Sequence, residues 1–384
     1  MARLTLLAVL VIGCSPPMPV PMPDAGEPFD AGQYTPVESR PLGLNDATYL
    51  LPLSAPDAGS PFPGPEAMIP RVLFDRVSTT PGDVITDLSR LRIVALRFDI
   101  CDRSTTAPCG ETADGVIRLV LQPVFNDGSV EDVALHAFYP VPRNEVYEAV
   151  DTLRALARLQ NVPTGSALRV NTAFGVDAEF TSTLAAFVRR YASAPRIIRL
   201  TLFGQMTNRA ALIWVFRGIE KRAGGFARIE IPDLMEIDQV SLLFSATEFQ
   251  TMPQADEPKG FARAMSLRSF MDGTAEQKKE ALEALVASDN PTLNTADTIQ
   301  CVTCHVTTTI LPERATLAGV DVTTLTNRYT STQFDLTPLG DVALRFRTLR
   351  ALGYLRNTPL VAQRTVNETA NVIGELEARY PPAP

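Results

Sequence analysis

Residues 116–139 read VIRLVLQPVFNDGSVEDVALHAFY. Val116 to Gln122 and Asp132 to Tyr139 alternate apolar and polar side chains, the two-residue period of a strand, and Asn126-Asp127-Gly128 between them has turn chemistry. The stretch therefore predicts two antiparallel strands joined by a short connection. Leu91 to Ile100, just upstream, alternates in the same way. Downstream, strands are expected at Ile197 to Phe203, Ala211 to Phe216, Phe226 to Ile231 and Val240 to Phe244. Two helices interrupt them. One runs from Asn144 to Gln160, with Val146, Val150, Leu153 and Leu156/Ala157 as its apolar stripe and Asn144 as its cap. The other runs from Thr183 to Tyr191. Strands clustered on either side of helices predict an α+β domain over residues 66–250, an antiparallel sheet with helices packed on one face. The segment contains neither a glycine-rich phosphate loop nor a G-x-S-x-G elbow.

Residues 251–384 change character and read as mostly helical. Phe261 to Met271 is one expected helix. Thr274-Ala-Glu-Gln277 is a capping box that opens another through Val286, ended by Asn290-Pro291. Asp341 to Leu355 and Arg364 to Tyr380 complete the set. The last carries Val366, Ala370, Ile373, Leu376 and Glu377 at helical spacing.

Within this helical third, residues 301–305 read Cys-Val-Thr-Cys-His. In an exported chain, CxxCH is the signature of covalent c-type haem attachment. One helical turn puts Cys301 and Cys304 on the same face. There both thiols can form thioethers to the porphyrin edge, while His305 supplies the proximal iron ligand. The competing readings are a redox or structural disulfide between Cys301 and Cys304, or half of a zinc site. No second CxxC or HxxxH pair exists to complete four zinc ligands.

Export is itself read from the N-terminus. Met1-Ala2-Arg3 precedes an apolar run from Leu4 to Gly13, too short to span a bilayer and shaped like a secretory signal over residues 1–13. Residues 14–65 follow as a tether, rich in proline and with Asp-Ala-Gly recurring at 24–26, 30–32 and 57–59. Such composition favours an extended spacer over a packed core. In an oxidising compartment Cys101 and Cys109, separated by a loop-like segment, are expected to pair. A formal net charge of −8 with no reversing basic cluster argues against nucleic-acid binding.

Several resemblances follow from these residues. Val11-Ile12-Gly13-Cys14 resembles the lipobox of bacterial lipoproteins. It implies acylation of Cys14, attachment to a membrane, and a place in the bacterial cell envelope. Ser15 resembles the outer-membrane rather than the inner-membrane sorting pattern. The helical segment around Cys301-Val-Thr-Cys-His305 resembles monohaem c-type cytochromes, over about a third of the chain, and implies one covalent haem c in a cytochrome c-like domain. The combination of tether, α+β domain and terminal CxxCH resembles uncharacterised bacterial lipoproteins.

The chain departs from ordinary cytochromes c in one respect. No Met, His, Lys or Cys follows His305. A distal iron ligand must come from upstream, where Met265, Met271 and His136 are the candidates. Otherwise it is a weaker ligand such as Tyr329, Tyr354 or Tyr380, or the sixth position is open. Arg345, Arg347, Arg350 and Arg356 could face haem propionates or merely form a solvated helix face. Three functions are consistent with these residues. They are electron transfer to a periplasmic redox partner, a haem-based sensor or enzyme with an open sixth position, and a non-haem surface-binding lipoprotein with a CxxC disulfide.

Overall fold

The computed structural model describes residues 38–53, 59–78, 87–101, 109, 112–207, 212–229, 239–245, 248–252, 260–294, 301–340 and 351–383. The expected signal peptide, Cys14 and the tether up to residue 37 lie outside them. Residues Thr35–Pro384 form one compact unit.

The hairpin of residues 116–139 sits near the middle of a nine-stranded sheet. Its strands are β1 (Thr48–Leu50), β2 (Leu91–Ile100), β3 (Ala113–Pro123), β4 (Val133–Pro142), β5 (Arg199–Thr207), β6 (Leu212–Arg222), β7 (Gly225–Arg228), β8 (Gln239–Ser245) and β9 (Glu248–Met252). Their order is β1-β2-β3-β4-β5-β6-β8-β9, with β7 also paired to β6, and every pairing is antiparallel. The β3–β4 turn forms as its residues suggest. Gly128 takes a left-handed φ of 77° and donates to the Phe125 carbonyl at 2.9 Å.

Helices cover both faces of this sheet: those within residues 66–250 share one face, as expected, and the C-terminal helices cover the other. The first group is α1 (Leu44–Ala47), α2 (Pro65–Met68), α3 (Arg71–Ser78), α4 (Val146–Gln160) and α5 (Ala178–Tyr191). The second is α6 (Phe261–Met265), α7 (Leu267–Met271), α8 (Ala275–Ser288), α9 (Cys301–Ala318) and α10 (Gln363–Arg379). Tyr49 and Thr48 are neighbours on β1 and therefore point to opposite faces. Tyr49 packs against Phe180 of α5, whereas Thr48 bonds Thr369 of α10. The physical reason is visible in β3. Ile117, Leu119 and Leu121 are buried on one face and Val116 and Val120 on the other, so both faces demand a cover.

Three expectations change. Composition places residues 38–53 in the tether, but Leu42, Leu44, Ala47, Tyr49, Leu50 and Leu51 are core residues. Asn144 does not cap α4. It lies in a 3-10 turn, Arg143–Glu145, that leads into the helix. Asp341–Leu355 does not end as a helix. Leu352–Leu355 is a strand, β10, paired with β11 (Thr358–Val361), and residues 341–350 lie outside the described set.

The apolar side of α10 also has a different home from the one its sequence position suggests. Val366, Ala370, Ile373 and Leu376 join the core of the sheet. Its first turns reach α8 and α9. Arg364 donates to the Ser288 carbonyl at 2.9 Å, and Gln363 N–H donates to Thr308 Oγ1 at 3.1 Å.

Candidate functional site

Helix α9 begins at Cys301, so residues 301–304 occupy its first turn, with His305 immediately after. The His305 imidazole stacks on the ring of Phe203 at 5.3 Å between centroids, with 12° between planes. It meets Phe216 at 4.9 Å and 61°. Phe203 and Phe216 face each other across β5 and β6, their own rings 5.4 Å apart. Trp214 lies two residues from Phe216, hence on the same face. It is fully buried, and its indole N–H donates to Asp132 Oδ2 at 3.0 Å. Three sheet aromatics therefore make a shelf beneath the start of α9, and offset or tilted ring contacts of this kind add to simple burial.

Beyond the motif, Val306, Ile310, Leu311 and Ala315 of α9 enter a core shared with α6, α7 and α8 and with the shelf itself. Fully buried Arg314 ties α9 to its neighbours. Its Nε donates to the Ala264 carbonyl at 3.0 Å, it pairs with Glu313, and its guanidinium lies 5.9 Å from the centre of the Phe270 ring. Pro312 lies inside the helix, where its nitrogen has no hydrogen to donate to the Thr308 carbonyl.

The sequence candidates for the distal side separate by position. Met265 is 5 % exposed and shares the core that holds Phe203, Phe216 and Val306. Met271 is 44 % exposed at the end of α7. His136 is half-buried on β4, across from Val120 and Thr201. Because Ala134, two residues away, lies opposite Phe203, His136 and the aromatic shelf share one face of the sheet. Tyr354 and Tyr380 belong to the other core. The Tyr354 hydroxyl donates to the Leu51 carbonyl at 2.6 Å, and burial pushes it well above the ordinary phenol range. Tyr380 packs edge-on against Tyr147. Tyr329 is only partly buried and also packs on that core.

Of the four arginines considered for propionates, Arg345, Arg347 and Arg350 lie outside the described residues. Arg356 is exposed in a tight turn at φ 53°, its backbone paired with Val130. Cys101 and Cys109 are joined at 2.09 Å and close the β2–β3 connection, where they pack with Val116 and Phe138. Among the described residues no group of three His, Cys, Asp or Glu side chains converges as a metal site. Nor is any described helix long and apolar enough to cross a membrane.

The sequence reading missed Phe203, Phe216 and Trp214. A signal was present, since all three are aromatic and sit at strand parity, but only the register shows that they share a face. Chemically, the arrangement offers an imidazole held at the edge of an apolar, aromatic wall, with two cysteines in the preceding turn. Such a wall excludes water from one side of a flat cofactor and restricts the tilt of its ligand. No family model, curated protein or solved structure matches this chain.

Proposed function

We propose that the chain is a lipid-anchored envelope protein that carries one covalent haem c and transfers electrons. Cys301 and Cys304 hold the porphyrin through thioethers and His305 ligates its iron. Cys14 carries the lipid, and a periplasmic redox protein is the partner. The observation that carries the reading is His305, next in α9 to the turn that contains Cys301 and Cys304, stacked on Phe203 and tilted against Phe216. When bound, the haem supplies a one-electron couple whose potential responds to ligation and burial. The protein's own part is to fix the His305 ring between two phenylalanines and to keep water from that side. The α+β sheet thus supplies part of the site as well as the scaffold.

The test is expression with haem-attachment machinery present. The purified protein is expected to be red, with a Soret band that survives acid–acetone extraction and disappears from that fraction in the double variant Cys301→Ala/Cys304→Ala. A colourless protein, with Cys301 and Cys304 joined as a disulfide, overturns the proposal in favour of a non-haem surface protein.

A second reading, an open sixth position suited to a sensor or enzyme, is favoured by the 44 % exposure of Met271 and by the commitment of Tyr354 to Leu51. A high-spin spectrum that shifts when CO is added to the reduced protein supports it. A methionine–iron charge-transfer band abolished by Met265→Leu excludes it.

A further inference from the structure

The sheet face that carries the aromatic shelf continues toward a row of arginines. Reading across β3, β4 and β5, Ala134 lies opposite Phe203, His136 lies between Val120 and Thr201, and Phe138 lies between Arg118 and Arg199. Ala134, His136 and Phe138 alternate along β4 and so face the same way. From the shelf to Phe138 is four residues of extended chain, about 13 Å. Arg118 and Arg199 flank the Phe138 ring, their guanidinium carbons 4.9 and 6.0 Å from its centre.

Arg118 is the unusual member of the row. Its nearest acid, Asp99, lies 3.1 Å away but is shared with Arg97. Arg97 also has Glu368 at 2.6 Å, and Arg199 has Glu220 at 2.6 Å. The Nε atoms of Arg118 and Arg97 are both buried and donate to nothing, but Arg97 has two carboxylates against it and Arg118 only the shared one. Burial, together with the like charges of Arg97 and Arg199, lowers its affinity for a proton despite Asp99 and Glu368. A guanidinium with a spare buried N–H, half a carboxylate for company and cations on both sides is poised to accept an anion. Arginine suits carboxylates in particular, because its fork matches two oxygens.

We propose that Arg118 receives a carboxylate, a propionate of the haem held by His305, so that the cofactor lies along this face with His136 and Thr201 beneath it. The inference rests on the haem reading above. It assigns the cofactor's acidic end to the sheet and not to the C-terminal arginines. A purely structural Arg118, serving only to neutralise Asp99, is the rival explanation.

The experiment uses the full-length holoprotein. Covalent haem is first confirmed by acid–acetone extraction. Its absence from the parent protein defeats the haem reading itself, and with it this inference. With haem present, the midpoint potential is measured against pH for the parent, Arg118→Gln, Arg118→Lys and the exposed control Arg158→Gln. Loss of the Arg118 charge is expected to lower the potential. It is also expected to raise the propionate ionisation seen in its pH dependence by about 1–3 units, the usual effect of removing a cation beside a carboxylate. Arg118→Lys keeps a charge for Asp99 but not the fork, and is expected to fall between. If Arg118→Gln does not fold, a raised ionisation in Arg118→Lys alone sustains the proposal. An ionisation unchanged in whichever Arg118 variant folds, or moved equally by Arg158→Gln, overturns it.

Discussion

Glu368 sits on α10 between Arg97 of β2, at 2.6 Å, and Arg364 one turn away, also at 2.6 Å. Burial alone would raise its carboxyl, but Arg364, Arg97 and Arg118 outweigh that effect and hold it well below the usual carboxylate range. An acid whose folded value is depressed contributes stability above its unfolded value of 4.5, and that contribution is lost as pH falls below it. Glu368→Gln is expected to cost about 3–5 kcal/mol at pH 7, because it leaves buried arginines without their counter-charge. In urea titrations the gap to the parent should close below pH 4.5. Asp46 behaves in the opposite sense. Burial, the largest effect, pushes it up to about 6 against the bonds from Gly43 and Gln160 and the charge of Arg40. The folded chain therefore takes up a proton that the unfolded chain has released, and stability falls as pH rises from about 4 to about 6. Asp46→Asn should remove that slope, up to about 1.4 kcal/mol for each pH unit, and be relatively more stable at pH 7 than at pH 4. Neither acid was conspicuous in the sequence, since each is an ordinary surface residue type until its partners are known. Asn367-Glu368-Thr369 matches the N-x-[ST] glycosylation pattern, but Asn367 is buried and donates to the Asp289 carbonyl at 2.8 Å.

At the scale of elements, local chemistry explains most of what formed. The capping box at Thr274 is present, with Gln277 N–H donating to Thr274 Oγ1 at 3.3 Å and Thr274 N–H to Gln277 Oε1 at 2.9 Å. Thr274→Ala should lower stability by about 1 kcal/mol, measured as a shift in the urea midpoint at constant slope. The expected helix Phe261–Met271 divides at Ser266, whose hydroxyl caps α7 by accepting from Ser269 N–H at 3.3 Å. A serine that can cap is thus able to divide a helical run. The elements that were misread are those with weak local signals. Strand β1 is three residues long and α1 four, both within a proline-rich stretch. They are held by distant contacts instead. Leu42 N–H donates to Glu377 Oε1 at 2.9 Å, and Gly43 packs so tightly that an added Cβ would meet the Thr164 carbonyl. Gly43→Ala should therefore lower the melting temperature although the helix propensity of alanine is higher.

For the molecule as a whole, the motif-bearing helices and the sheet share one fold. His305 rests on Phe203 and Phe216, Trp214 belongs to the core of α6–α9, and α10 links the Ser288 end of α8 to Arg97 of the sheet. A fragment of residues 251–384 should fail to fold alone, giving weak helical dichroism and no cooperative melt, because it lacks the shelf that completes its core. Trp214 is the chain's one tryptophan and is buried beside that shelf. Its fluorescence should change in the same transition as the far-ultraviolet signal of the full-length protein. By itself the sequence determined the strand hairpin, the long helices, the Cys101–Cys109 pairing and the CxxCH at the head of a helix. Each of these is written in residues close together in the chain, through periodicity, capping and spacing. Only the tertiary structure decided that both faces of the sheet are covered, that residues 38–53 are core, and that His305 lies on phenylalanines about a hundred residues upstream. Those outcomes depend on strand register and long-range packing, and no local pattern encodes which distant surface an apolar face will meet.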